Sequence, residues 1–524
     1  MKWNCFKTLS GVLLSLAIST AALHSTVWAQ EPDPEQEPAA FSAEAAGAHA
    51  EEAVDSSSGA APAEADADIS PDAAPAAGQP ADDLKKALND YFSHNPALGQ
   101  SHCGAYIKVL DSERVLYSHH GSDPLIPASN MKIVTTAAAL DLLGPDYHYT
   151  TELWGPPVND KGVVQGDLYL RGNGDPTNTP PYWETPTAMY EQLAGDLQKA
   201  GVRAVIGDIV ADDSLFDREY YPQGWSDHYH LDSYSAPVAG LSLNGNMVEV
   251  RVSGSGASTY PSNNHFKIAY SSQGASDTAI ERKRGSRTIV VRGPLSEVNR
   301  EITVDNPPLF AASAFGNIVA GRGIMIKGKV RLIRQLGEPA AVNHRHLYAS
   351  ISSPDLKTLI TEINQQSDNF LAEHLFKTIG ARASGRGDTD TGEACVKRFL
   401  TAHNIDTKGL HMVDGCGLSE LNTITPNQLV DTLIVMARHK YSDVYYQSLA
   451  SNEHGTLRYR IPGTDVHGKT GTLDHYTSLS GYVTTAGGQV VVFSMLFNKI
   501  EDISVGIDIQ NRVVTMLSQY PDRL

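Results

Sequence analysis

Cysteine is scarce, with four residues in a chain of 524. Cys5 sits before the apolar run of a leader-like start, and its removal leaves Cys103, Cys395 and Cys416. Three thiols do not make a disulfide framework. Cys395 and Cys416 could pair in an oxidising compartment, but buried, unpaired thiols are the expectation. Positive charge is also short: the formal net charge is −19, which argues against nucleic acid as a partner. No Lys or Arg occurs between Glu31 and Leu84. Beyond the start, no apolar run reaches the roughly 20 residues that a membrane span needs. The 19 histidines include no His-Glu-x-x-His. The close pairs His119/His120, His228/His230 and His344/His346 read as solvated surface. Gly172-Asn173-Gly174 lacks the third glycine of a dinucleotide fingerprint. There is no internal repeat.

The first 29 residues have the form of an export signal. Lys2 and Lys7 precede a mostly apolar Leu9–Leu23 stretch, and Val27-Trp28-Ala29 offers a cleavage site. The expected mature chain is periplasmic, with no transmembrane span. Residues 30–81 are built from Ala, Pro, Glu, Asp, Ser and Gly. Such a stretch buries too little apolar surface to offset its ordering entropy, so an acidic, disordered linker is expected. Fourteen acids lie between Glu31 and Asp83, so the chain after them is close to neutral.

Order is expected from about Asp82. A helix start there precedes two strands, Gly104–Leu110 and Arg114–His119. A buried helix opens after Pro127. From about Thr150 to Asn343 the pattern is strand-rich, with expected strands at Gly166–Leu170, Val205–Val210, Met247–Val252, Thr288–Val291 and Ile324–Val330. The stretch from about His230 to Arg300, rich in Ser, Gly and Asn turns, reads as a further inserted module. Helices follow at Pro354–Ile363, Asn369–Ile379, Glu393–Ala402 and Asn427–Ala437. Two long strands, Ser478–Thr485 and Gln489–Asn498, meet at a Gly487-Gly488 hairpin turn, and a helix closes the pattern from Ile503 to Leu517.

Three short motifs carry the chemistry. They are Ser129-Asn130-Met131-Lys132, Ser367-Asp368-Asn369 and Lys469-Thr470-Gly471. Each is weak alone. In this order they form the signature shared by serine β-lactamases and penicillin-binding proteins. A serine hydroxyl needs a base to become a nucleophile. A spacing of three on a helix puts Ser129 and Lys132 on one face. Burial on an apolar helix should lower the lysine pKa and fit Lys132 to act as that base. Ser367 would shuttle a proton to the leaving amine, and Asn369 would bind a substrate carbonyl. Asp368 opens the same helix and belongs with the substrate-binding set; capping is its bland alternative. Lys469 could attract a carboxylate. Thr470, Gly471 and Thr472 would lie on a strand edge able to pair with an extended peptide. The Ser129 and Thr472 N–H groups would form an oxyanion hole.

These residues resemble the class C low-molecular-mass penicillin-binding proteins, the D-alanyl-D-alanine carboxypeptidase/endopeptidase family (peptidase family S13). Ile126-Pro127-Ala128-Ser129-Asn130-Met131-Lys132 is similar to that family's nucleophile segment. So are Leu170–Pro176, Ala236-Pro237-Val238 with Leu241–Asn244, Gly455-Thr456-Leu457 and Ser480-Gly481-Tyr482 to other family segments. Asp414-Gly415-Cys416-Gly417-Leu418-Ser419 departs at Cys416 from a usual serine, without touching the three motifs. The interval of 238 positions from Ser129 to Ser367 fits the family's insertions better than a β-lactamase.

The resemblance implies an α/β (α+β) β-lactamase/penicillin-binding transpeptidase-like domain with β-rich inserted domains. The catalytic domain would span 82–150 and 344–524. A second domain would span 151–229 and 301–343, and a nested third 230–300. The implied activity is a serine-type D-Ala-D-Ala carboxypeptidase and D,D-endopeptidase on peptidoglycan peptides. It would need no metal or organic cofactor and would be trapped by β-lactam antibiotics. A β-lactamase-like or esterase activity on the same fold, or a non-catalytic cell-wall-binding scaffold, are the alternatives.

Overall fold

Alternating and continuous apolar runs near both ends of the ordered chain build one six-stranded sheet. The structure, a computed structural model, describes residues 80–99, 101–336 and 346–521. The expected export signal at 1–29 and nearly all of the expected linker at 30–81 lie outside them. The described residues belong to one compact unit.

Strands β1 (His102–Val109) and β2 (Val115–His119) come from the N-terminal part. Helix α1 (Met131–Leu143) follows, and helix α2 (Asn369–Ser384) comes after the long intervening stretch. Strands β3 (Asp465–Leu473), β4 (Tyr476–Thr484) and β5 (Val490–Asn498) close the chain's pattern. The sheet order is Ala450–Ser451, β3, β4, β5, β1, β2. Antiparallel register sets Ala105 opposite Met495 and Lys469 opposite Ser480. The sheet is buried on both faces. One face packs on Pro80–Ser93 and Ile503–Ser518, through Leu88, Phe92, Val513 and Leu517. The other packs on α1, α2 and Pro426–Ala437. Helix α1 is apolar on nearly every side, as a central helix must be. Met131 through Leu140 are all buried.

The first helix starts at Pro80, two residues before the expected start of order at Asp82. The strand-rich middle holds a five-stranded sheet ordered Val330–Leu332, Ile209–Asp212, Leu168–Gly172, His148–Gly155, His346–Asp355, with three smaller sheets. It also holds two helices that the sequence pattern missed, Ala188–Lys199 and Pro307–Gly321. The second is apolar throughout and so shows no 3.6-residue alternation. Its start signal was nonetheless present: Asn306 caps Leu309 N–H at 3.2 Å and proline follows. Two expected strands, Val205–Val210 and Ile324–Val330, are each broken in two. Gly207 and Gly328 sit at the breaks, where backbones cross so closely that a Cβ would collide with the neighbouring carbonyl.

Candidate active site

Three segments converge under the β3 edge. Ser129 sits in a 3-10 turn, Ala128–Asn130, that feeds α1. Ala128 has φ 47°, in the left-handed region that costs a non-glycine residue energy. Asn130 ties the turn to β3 by donating to the Lys469 carbonyl at 2.9 Å. Ser478 of β4 donates to the Pro127 carbonyl at 2.7 Å. Gly471 is required here, because a Cβ would stand 2.8 Å from the Ser129 nitrogen and strike the Ser478 hydroxyl.

Lys132 lies one helical turn from Ser129 and is fully buried. Its Nζ is 3.1 Å from Ser129 Oγ, 2.7 Å from Asn369 Oδ1 and 2.7 Å from the Cys416 carbonyl oxygen. The last two partners only accept hydrogen bonds. A neutral amine satisfies them with its two N–H groups and turns its lone pair to the serine hydroxyl. Burial pushes the Lys132 pKa below the ordinary lysine range, against the opposing pull first of Cys416 and then of Asp414, Asp368 and Glu373.

Asn369 is the first residue of α2. Besides holding Lys132, its amide donates to the Tyr234 carbonyl at 3.0 Å. The group expected to bind substrate is thus engaged by the backbone of the strand-rich middle. Asp368 is the N-cap of α2 and accepts from Leu371 N–H at 2.8 Å, the capping alternative. Ser367 has φ 64°, and its hydroxyl has no hydrogen-bond partner among the described residues. It adjoins Asp368 and Asn369 in sequence, and no hydrogen bond joins it to Lys132 among the described residues.

Lys469 is also fully buried. Its Nζ donates to the Thr470 carbonyl at 3.0 Å, and burial followed by repulsion from Lys132 holds its pKa well down. Thr470 Oγ1 donates to Thr456 Oγ1 at 2.7 Å, which places Gly455-Thr456-Leu457 beside the site. Thr472 is exposed. The short Ala450–Ser451 strand pairs with β3 only at His467 and Gly468, so no described strand covers the edge from Lys469 onward.

Cys416 lies against the motifs through its backbone alone: its carbonyl accepts from Lys132, while the side chain that departs from serine makes no hydrogen bond to them among the described residues. The contact is made by backbone, which leaves the side chain free to differ. The loop is held by Asp414, whose two oxygens accept from the N–H groups of Cys416, Gly417 and Ser419, from Asn422 Nδ2 and from Trp225 Nε1. At Gly417, φ is 85° and a Cβ would collide with the Ala128 carbonyl. Glu373, Asp414 and Cys416 bring ligand atoms within 4.8 Å of one another. The five N–H donors aimed at Asp414 fit an acceptor, not a metal ligand. Cys103, Cys395 and Cys416 are all free and buried.

Two of the remaining resemblance segments meet α2: Ala236 and Val238 pack with Phe370, and Leu241–Asn244 reaches it through Ser242. His374 Nε2 meets Ser242 Oγ at 3.2 Å, and Asn246 Nδ2 donates to the same hydroxyl at 3.0 Å. Lys377 Nζ donates to Asp217 at 2.6 Å. Sequence reasoning missed Glu373, Trp225 and Tyr234. Only Glu373 left a trace, an acid four residues after Asn369 inside an apolar helix.

The model of the D-Ala-D-Ala carboxypeptidase 3 (S13) family matches residues 84–520. A D-alanyl-D-alanine carboxypeptidase of Actinomadura sp. is 31% identical over 483 residues, covering 86% of this chain and 87% of the relative. D-alanyl-D-alanine carboxypeptidase DacB of Haemophilus influenzae is 24% identical, covering 76% and 85%. The crystal structure of penicillin binding protein 4 from the same organism superposes with a TM-score of 0.70 at 22% identity, covering 84% of this chain and 99% of that one. That protein has also been solved with a β-lactam bound.

Proposed function

Because this chain belongs to the D-Ala-D-Ala carboxypeptidase 3 (S13) family, we propose that Ser129 is acylated by peptidoglycan stem peptides ending in D-Ala-D-Ala and by D-amino-acid cross-links. The observation that carries this is the Lys132 amine, buried and 3.1 Å from the Ser129 hydroxyl, with its other two contacts both acceptors.

The peptide lies along the uncovered β3 edge. Lys132 takes the hydroxyl proton as Ser129 Oγ bonds to the carbonyl carbon before the terminal D-alanine. The Ser129 and Thr472 N–H groups hold the oxyanion. The C–N bond breaks, and the amine leaves with a proton relayed through Ser367, whose unpartnered hydroxyl must turn toward Lys132. Asn369 exchanges Tyr234 for a substrate carbonyl. Lys469 meets the carboxylate end, whose negative charge favours the ammonium form that burial alone disfavours, and Thr470 and Gly471 shape the strand. Asp368 supports the site by fixing α2. Water then releases the acyl group by the same route in reverse. β-Lactams form the same ester, but their amine stays tethered.

The enzyme acts outside the inner membrane after removal of residues 1–29, and residues 30–81 serve as a spacer or interaction tail. No described helix is long and apolar enough to cross a membrane. Residues 151–229 with 301–343, and 230–300 within them, are inserted domains that shape the approach to the site.

The test is labelled penicillin followed by peptide mass spectrometry, with D-alanine release from a pentapeptide. A stable adduct on the peptide holding Ser129, absent in Ser129→Ala, is expected. Rapid penicillin turnover without D-alanine release would replace this reading with a β-lactamase-like one.

A further inference from the structure

Glu373 lies one turn beyond Asn369 on the same face of α2 and is fully buried. Its Oε2 accepts the Gly415 N–H at 2.6 Å. Its Oε1 is buried with no hydrogen-bond partner among the described residues. A buried oxygen without a partner is far costlier on a charged carboxylate than on a neutral carboxyl. A carboxylate oxygen of Asp414 lies within 4.8 Å, and two buried carboxyls that close resist ionising together. Both oxygens of Asp414 are already filled by N–H donors. The proton of the pair therefore belongs to Glu373.

The surrounding groups are few. Cys416 on the loop has its thiol pushed well up by burial. Lys377, a turn further along α2, is held by Asp217 and the Glu219 carbonyl. Lys132 faces the group from α1, and Asp368 begins α2. Burial first, then the charge of Asp414, pushes the Glu373 carboxyl up to about 8, with Lys377 pulling the other way.

We propose that Glu373 is a positioning residue that keeps its own proton so that Lys132 can release one. Two links connect them. The Gly415 contact fixes the peptide leading to the Cys416 carbonyl that holds Lys132, and Thr135 Oγ1 clamps the Gly415 carbonyl at 2.7 Å from the other side. A neutral Glu373 also withholds a negative charge that would keep Lys132 as an ammonium. When Glu373 gives its proton to solvent, its carboxylate stabilises the Lys132 cation, and acylation stops rising with pH. This rests on Lys132 acting as the general base.

The experiment follows Ser129 acylation by penicillin against pH in the full chain, alongside carbon-13 NMR of glutamate-labelled enzyme. The parent enzyme should show an alkaline break near pH 8 and a glutamate carboxyl carbon titrating there. Glu373→Gln keeps an oxygen for Gly415 and should lose both the break and the signal while still acylating at neutral pH. Glu373→Asp should restore a break. A Glu373→Gln profile superposable on the parent, or no glutamate carbon titrating in the alkaline range, overturns the proposal. If Glu373→Gln does not fold, the NMR titration of the parent decides. Undiminished acylation in Lys132→Ala would instead defeat the general-base reading, and the NMR signal would still report where the proton resides.

Discussion

The side-chain oxygen of Asn369 lies 2.7 Å from Lys132 Nζ, joining the first residue of one helix to the amine of another. That oxygen is neutral, so it orients the amine without fixing its charge. In Asn369→Asp a carboxylate takes its place and should raise the Lys132 pKa by about 1–3 units. Acylation at neutral pH should fall roughly 10- to 10³-fold and recover as pH rises. A stopped-flow pH profile with a chromogenic β-lactam checks this, and an unshifted acid limb would contradict it.

Removing the amine should cost more. Lys132→Ala leaves Ser129 without a base and should slow acylation by about 10²–10⁴-fold. The fold should survive, because the substitution removes a buried amine whose burial was itself costly. Circular dichroism and labelled penicillin report the two outcomes separately.

Gly471→Ala tests the approach of β3 to the nucleophile. The added Cβ meets the Ser129 nitrogen and the Ser478 hydroxyl. Overpacking of this kind costs about 1–3 kcal/mol, and here the strain falls on the turn carrying Ser129. Acylation should drop more than melting temperature does. Cys416→Ser is the contrasting case. Lys132 uses the carbonyl of that residue, so acylation should stay close to that of the parent.

Acid stability should depend on His374. Burial, the largest influence, lowers its pKa from 6.5 to about 4, so the unfolded chain binds its proton more readily than the folded one. Stability then rises with pH between about 4 and 6.5 and is lost as the medium is acidified through that window. The difference corresponds to about 3 kcal/mol. Urea unfolding at pH 7 and pH 4.5 should show the loss, and His374→Gln should flatten it.

The amino-acid sequence alone determined the order of elements at both ends, the nucleophile helix, the β4–β5 hairpin and the three motifs. These are written in side-chain type and spacing, which periodicity and reactivity both read. It also held the resemblance that points to the family. What only the tertiary structure decided is carried by backbone and by burial. The Cys416 carbonyl on Lys132 and the Tyr234 carbonyl on Asn369 have no side-chain signature. The breaks at Gly207 and Gly328 arise where two distant backbones cross. Ser367 and Lys469 were expected to face the reaction, yet one hydroxyl is unpartnered and one amine is wholly enclosed. Glu373 became notable only when folding set it beside Asp414, because the charge a buried acid can hold depends on neighbours distant in sequence.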